Sequence, residues 1–334
     1  MIGCPLQCTF CPQDELKAAY GKAAGRRFRG TGTMAAADAR THGPLKNKYL
    51  SLDNFQIILK KIPRHVRIDF AGMAEPWANT QATQMLKYTL EKGYQTGIYT
   101  TLFEMSRDDA NRTLDLLHQH LEQLEILCLH VPDANGNMTG WRPSTEYRDV
   151  LALFLDFGQR ELKGKFTLAG SLLCPRFQVM TMDPSGRVHE ALTDFGLNLD
   201  PWRGHSRAGT LREEVVEKLQ AKPPPQHRGA VMCSITPFFD HNVLLPNGDV
   251  VLYCMDYSLK HIIGNLLEQD YYEIFVSPEL ARLRTENSKP GFSKCSLCKS
   301  CDDAVEYNLI GNSWQARSES FWDMPSRTDD RGKI

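Results

Sequence analysis

The sequence predicts an α/β fold with parallel strands, followed by a smaller α+β region. Three observations carry this. Strand-like and helix-like segments alternate from residue 51 to about residue 195, the signature of βαβ units. The pattern changes after Pro223-Pro224-Pro225, a run that reads as a linker or boundary. A length of 334 residues sets a prior of about two domains, each long enough to bury a core.

The elements follow in order. Residues 17–48 are rich in Gly, Ala, Lys and Arg, including Arg26-Arg27-Phe28-Arg29-Gly30, and read as a long solvated loop. Ser51 is placed to cap a helix with Leu52, Phe55, Leu59 and Ile62 on one face, stopped by Pro63. Val66, Ile68 and Phe70 alternate as a strand. A helix over 80–92 closes at Gly93, and a strand follows near 94–100. Ser106 caps a helix running to about His120, and 124–131 is a buried strand. The 132–143 loop turns at Asn135-Gly136, and Ser144 caps the next helix. A strand over 177–182 leads into Asp183-Pro184-Ser185-Gly186, and 187–195 has helical character. Beyond the boundary, 242–245 and 250–253 flank Pro246-Asn247-Gly248-Asp249 as a β-hairpin, a helix is expected over 271–286, and the segment from Asp302 reads as a polar tail with Trp314, Phe321 and Trp322. The expected division is 1–222, 223–301 and 302–334.

Composition narrows the function. The chain has 39 basic and 40 acidic residues, so bulk charge favours neither nucleic acid nor an anionic membrane surface. No apolar run reaches the roughly 18 residues of a membrane span, and the first residues lack a signal-peptide pattern, so a cytoplasmic location is expected.

Cysteine is the unusual quantity. Of ten, three (Cys4, Cys8, Cys11) fall in the first eleven residues and three (Cys295, Cys298, Cys301) crowd seven residues near the other end. Cys233 and Cys254 lie between them in the C-terminal region. Such clusters in a cytosolic chain point to thiolates around metal rather than to a disulfide framework. Zinc is one reading, because Cys8-x2-Cys11 and Cys295-x2-Cys298 each match half of a zinc site. Cys4, Cys8 and Cys11, however, come without an obvious fourth ligand. Three thiolates suit a [4Fe–4S] cluster with one iron open to an external ligand, which makes iron–sulfur the stronger reading. Cys128 and Cys174 stand alone and read as small core hydrophobes.

The segment Cys4-Pro5-Leu6-Gln7-Cys8-Thr9-Phe10-Cys11 resembles the CxxxCxxC hallmark of the radical SAM family, with an aromatic residue before the third cysteine. Gly72-Met73-Ala74-Glu75-Pro76 is similar to that family's Gly-Gly-Glu-Pro turn, with Ala74 in place of the second Gly, and Ser206-Arg207-Ala208-Gly209 resembles a segment found near the end of the barrel in relatives. Cys233, Gly248-Asp249, Cys254, Ile263-Gly264-Asn265-Leu266 and Cys295-x2-Cys298-x2-Cys301 resemble the SPASM or shorter twitch extension. The resemblance implies a partial (β/α)6 TIM-like barrel with a small C-terminal α+β auxiliary Fe–S domain. Only Met1-Ile2-Gly3 precede the first cysteine where relatives place a strand, so the first strand is expected to be missing or truncated.

The cofactors implied are S-adenosylmethionine (SAM), a [4Fe–4S] cluster on Cys4, Cys8 and Cys11, and an auxiliary [4Fe–4S] cluster. Cys233, Cys254, Cys295 and Cys298 are the expected auxiliary ligands, with Cys301 spare or substituting for one of them. The resemblance also implies reductive cleavage of SAM to a 5′-deoxyadenosyl radical that abstracts hydrogen from a substrate, either a small alcohol or carbohydrate-like molecule or a peptide. An electron donor such as a flavodoxin or ferredoxin would serve it. Backbone carbonyls of Gly72, Met73, Ala74 and Glu75 would receive the SAM ammonium group, Phe10 would lie near the adenine, and Arg207 joins the cofactor-binding set. Arg203 and Arg207 are placed to pair with a carboxylate. His130 and Asp133, where a strand hands over to its loop, read equally as ligand contacts or as turn-forming groups. Asp240-His241 and Asp256-Tyr257 flank auxiliary cysteines and read first as solvated loop positions, second as groups behind the ligands. The competing class is a non-catalytic zinc or iron–sulfur structural protein.

Overall fold

Three serines expected to cap helices do so. Ser51, Ser106 and Ser144 accept backbone N–H bonds from Asn54, Asp109 and Tyr147 at 3.1–3.2 Å, each contact contributing about 1 kcal/mol. The computed structural model describes residues 1–30, 48–169, 172–197, 199–201, 204–236, 239–310 and 313–316. Helices α1 (Gln13–Gly30), α2 (Leu52–Lys61), α3 (Ala82–Glu91), α4 (Arg107–Gln119) and α5 (Thr145–Phe157) alternate with strands β1 (Ile68–Phe70), β2 (Thr96–Thr100) and β3 (Leu124–Val131). A hairpin of β4 (Phe166–Ala169) and β5 (Leu172–Pro175) precedes β6 (Phe177–Thr181) and the short β7 (Asp200–Pro201). Strands β1, β2, β3, β6 and β7 form one parallel sheet in that order.

Register sorts the side chains of this sheet into two faces. Phe70, Ile98, Leu127, Leu129, Val131 and Val179 are buried on one face, in the same core as Phe55, Leu59, Leu86, Leu90 and Phe154 of the helices. The opposite face carries Asp69, Tyr99, Cys128, His130, Gln178 and Met180. Helices thus cover one side, and the side facing away from them is largely polar.

After α6 (Glu213–Lys218) the chain builds antiparallel structure. Strands β9 (Val243–Leu244), β10 (Asp249–Val251) and β11 (Ile262–Asn265) make one sheet. Strand β8 (Ala230–Cys233) joins β12 (Ala304–Ile310) and β13 (Ser313–Ala316) in another, and α7 (Pro278–Ser288) lies between them in sequence. The two halves share buried packing. Ile2, Leu16, Met73, Leu245, Val251 and Tyr257 form one apolar cluster, so the front of the chain and the turn after β1 rest against the C-terminal hairpin. Among the described residues no helix is long and apolar enough to cross a membrane.

Four expectations change. The loop expected from residue 17 is instead helix as far as Gly30. Ala18, Ala19, Lys22, Ala23, Ala24 and Arg26 are good helix formers, and Leu16, Ala19 and Tyr20 bury one side of it; 31–47 lie outside the described residues. The helix expected over 187–195 shrinks to a short turn at Glu190–Phe195. Val188 pairs with Asp133, and the Arg187 carbonyl accepts from the Ala134 N–H, which occupies that backbone in a loop-to-loop contact. The 271–286 helix splits at Ser277, which caps α7 with Pro278 at its first position, where proline fits a helix start and cannot continue one. The polar tail contains β12, which pairs with β8 from Ala304↔Cys233 to Tyr307↔Ala230; Phe321 and Trp322 lie outside the described residues. The β4–β5 hairpin has no counterpart in the sequence reading.

Candidate functional site

The first eleven residues form a loop held by hydrogen bonds to a second loop that leaves β3. The Thr9 N–H donates to the Asn137 carbonyl at 2.8 Å, the Gly140 N–H donates to the Leu6 carbonyl at 2.8 Å, and Cys8 pairs with Met138. Asp133 shapes the second loop, its Oδ1 accepting the N–H groups of Asn135 and Asn137 and the Asn137 side-chain amide. Its other oxygen, Oδ2, is buried with no hydrogen-bond partner among the described residues. Asp133 therefore makes the turn and keeps one acceptor available.

Gln13, which the sequence reading did not single out, ties the cysteine loop to the turn after β1. Its Oε1 accepts the Cys4 N–H at 3.0 Å, while its Nε2 lies 3.1 Å from Cys11 Sγ and donates to the Met73 carbonyl. The Met73 carbonyl is thus already engaged by the protein, and the Met73 side chain is buried in the cluster shared with the hairpin. Gly72 adopts φ +109°, which a side chain would strain. The Glu75 carboxylate accepts from the Thr100 hydroxyl, the Thr101 hydroxyl and the N–H groups of Thr101 and Trp77. It joins the end of β1 to the end of β2. Burial pushes its carboxyl pKa up against the opposing effect of these donors. Ala74 packs against the main core.

The three thiols sit close enough to repel one another when ionised. Burial pushes Cys8 well above the ordinary thiol range, with further contributions from Cys11 and Cys4. Burial also raises Cys4, opposed by N–H donors from Glu75 and Leu6. Among the described residues no three Cys, His, Asp or Glu side chains converge on a single ion position. Three thiols on one loop, with Cys11 already receiving the Gln13 side-chain amide, nevertheless fit a [4Fe–4S] cluster, which thiolates of this kind would hold.

Arg207 lies between this loop and the C-terminal region. Its backbone, like that of Ala208 and Gly209, has positive φ. Ser206 holds the turn through its N–H and hydroxyl on Asp302 Oδ2. The Arg207 Nε donates to the Phe10 carbonyl at 3.2 Å and its Nη1 is 3.2 Å from Met255 Sδ. Burial works against its charge, and Tyr257, Cys11 and Cys254 outweigh that effect. Phe10 is buried in the main core. Arg203 lies outside the described residues.

His130 ends the polar face of β3, where burial and then the Arg207 charge lower its pKa to about 4. The folded protein therefore keeps His130 neutral while the unfolded chain protonates near its ordinary 6.5. Stability contributed by this group is complete above pH 6.5 and declines as pH falls toward 4, by on the order of 3 kcal/mol at most. Urea unfolding of the wild type and His130→Gln at pH 7 and pH 5 should show a steeper loss in the wild type; equal losses would sink this assignment.

The C-terminal cysteines divide unevenly. Cys298 and Cys301 are buried, Cys233 and Cys254 are half-buried, and Cys295 is exposed. Burial raises Cys254 to about 11, opposed by Arg207. Burial also raises Cys301, with further contributions from Asp303, Cys298 and Cys233. Cys295 neighbours Arg282. The turn between Cys298 and Cys301 is pinned by Lys299, whose fully buried ammonium donates to the carbonyls of Gly229 and Lys289. His261, also fully buried, accepts the Leu297 N–H on Nε2 at 3.0 Å and meets Glu279 through Nδ1 at 2.7 Å.

Asp256 and Tyr257 are buried, contrary to the solvated reading. Asp256 accepts the N–H groups of Lys260 and His261, and the Tyr257 hydroxyl lies 3.3 Å from Cys11 Sγ. Asp240 and His241 are exposed as expected. Cys128 and Cys174 are buried.

Residues 233–302 match the SPASM family, an iron–sulfur cluster-binding domain. No curated protein matches the chain. Among solved structures it is similar to BtrN in complex with AdoMet and 2-DOIA, at 12% identity and TM-score 0.48, covering 91% of this chain and 89% of that one. It is also similar to hexahistidine-tagged anSMEcpe with bound AdoMet, at 11% identity and TM-score 0.45, covering 90% and 81%. A third similarity is to native anSMEcpe with bound AdoMet and the Cp18Cys peptide, at 11% identity and TM-score 0.44, covering 90% and 83%.

Proposed function

We propose that this chain is a radical SAM enzyme, a partial (β/α) barrel over about residues 1–222 joined to an auxiliary iron–sulfur domain over 223–301. The observation that carries the reading is the meeting of the Cys4–Cys8–Cys11 loop with the 72–75 turn through Gln13, which accepts the Cys4 N–H and donates to the Met73 carbonyl. Two sequence motifs 61 residues apart, counted from Cys11 to Gly72, thus form one site at the ends of parallel strands, where such folds place their chemistry. When bound, a cluster on the three thiolates supplies the electron for reductive cleavage of SAM.

The protein's own groups position and shield. Burial of Cys4, Leu6 and Phe10 shields one side of the loop from water, while Pro5 and Gln7 face solvent. The open Oδ2 of Asp133 and neutral His130 offer an acceptor and a hydrogen-bonding ring to a hydroxyl-bearing ligand. Tyr99 and Gln178 extend that polar face, in keeping with a small alcohol or carbohydrate-like substrate or a peptide backbone. The auxiliary ligand set favoured by burial is Cys233, Cys254, Cys298 and Cys301, with Cys295 outside it. The reading includes a flavodoxin or ferredoxin class electron donor.

Anaerobic reconstitution should load about eight iron and eight sulfide per chain. Added SAM and a reductant should yield 5′-deoxyadenosine, Cys8→Ala should abolish that product, and Cys128→Ala should leave it largely unchanged. Zinc alone, or about four iron, would remove the basis for two clusters. Wild-type protein with both clusters and no 5′-deoxyadenosine would overturn the enzymatic reading.

A further inference from the structure

We propose that Tyr257, supplied by the C-terminal domain, is a positioning residue that sets the reduction potential of the cluster held by Cys4, Cys8 and Cys11. The inference rests on the proposed function above and goes beyond it by assigning the auxiliary domain control of the SAM-cleaving centre.

The geometry is specific. Among the described residues the sulfur of Cys11 has two side-chain donors within hydrogen-bonding distance, Gln13 Nε2 at 3.1 Å and the Tyr257 hydroxyl at 3.3 Å. Gln13 belongs to the helix that follows the cysteine loop, whereas Tyr257 reaches across from a turn 246 residues away in sequence. A cluster-bound Cys11 is a thiolate with no proton to give, so the tyrosine hydroxyl is the donor. Hydrogen bonds to a ligating sulfur withdraw electron density and raise the cluster potential.

Tyr257 is held in place. It is 3% exposed and packs with Ile2, Leu16, Met73 and Val251. Its turn is tight, the Asp256 N–H donating to the Tyr253 carbonyl and the Tyr257 N–H to the Met255 carbonyl, each at 3.0 Å. Asp256 fastens the same turn to Lys260 and His261. Three residues before Tyr257 stands Cys254, one of the proposed auxiliary ligands. A single turn therefore carries an auxiliary-cluster ligand at one end and the donor to Cys11 at the other. Arg207 sits against its middle at Met255 Sδ while its Nε holds the Phe10 carbonyl beside Cys11. Anything that displaces Cys254 displaces the donor to Cys11.

The test is EPR-monitored potentiometric titration of reconstituted wild type and Tyr257→Phe, with iron and sulfide measured on each. With equal loading, the phenylalanine variant should show a more negative midpoint for the N-terminal cluster and an unchanged midpoint for the auxiliary one. An N-terminal midpoint equal to wild type overturns the inference. Should Tyr257→Phe fail to hold clusters, site-specific 3-fluorotyrosine at position 257, a stronger donor, should move the same midpoint upward, and no movement overturns it. Wild-type protein that assembles no cluster on Cys4, Cys8 and Cys11 defeats the proposed function itself. A loaded wild type beside an unshifted variant defeats only the role of Tyr257.

Discussion

Cys301→Ala is expected to strip about half of the reconstituted iron, whereas Cys295→Ala is expected to retain nearly all of it. The sequence reading ranks these cysteines the other way, although Cys295-x2-Cys298 and Cys298-x2-Cys301 have the same spacing and spacing alone does not separate them. Environment reverses the order. Cys301 is 5% exposed and lies within electrostatic reach of Cys298 and Cys233, and Tyr253 senses both Cys254 and Cys301. Cys295 is solvent-exposed, beside Arg282. Lys299 and the His227 N–H on the Lys299 carbonyl fix the backbone between Cys298 and Cys301, so that thiol is presented on a rigid turn. Iron and sulfide analysis with the EPR spectrum of each variant decides the matter. Equal iron loss in both variants would restore Cys295 to the ligand set.

Gly140→Ala is expected to destabilise the protein by about 2–3 kcal/mol and to lower loading of the N-terminal cluster more than the auxiliary one. A methyl group there would stand 2.5 Å from the Pro5 carbonyl oxygen and 2.7 Å from that of Leu6. Both atoms are backbone, so no side chain can rotate away. The Cys4–Cys11 loop itself would have to retreat from the loop that holds it through Thr9 and Leu6. Thermal unfolding and the iron content assigned to each cluster by EPR check this. Normal stability with full N-terminal loading would show that the two loops can part without consequence.

Local chemistry made much of the fold legible. Ser51, Ser106 and Ser144 announce helices because a hydroxyl capping the first turn is a short-range interaction. The strand at Leu124–Val131 is readable because a parallel strand buried by helices is nearly continuous in apolar residues. Where the reading failed, partners distant in the chain decided. The 187–189 backbone is held by 132–134, and Ala304–Tyr307 is drawn into a sheet by β8, some seventy residues earlier. Gly and Arg content made 17–30 look like loop, yet the buried stripe Leu16, Ala19 and Tyr20 stabilises it as helix once the C-terminal hairpin is present to cover it.

The sequence by itself determined which atoms are available. It specified two groups of thiols at opposite ends of the chain and a glycine-containing turn between them, because ligand chemistry resides in residue type and close spacing. Only the tertiary structure decided which of those groups meet. Gln13 bridging Cys4, Cys11 and Met73, Tyr257 reaching Cys11, and the burial of Cys301 beside an exposed Cys295 all depend on contacts far apart in sequence. The physical reason is range. Caps and short metal-binding motifs act within a few residues, whereas desolvation and hydrogen bonding at a buried sulfur depend on which segments the core brings together.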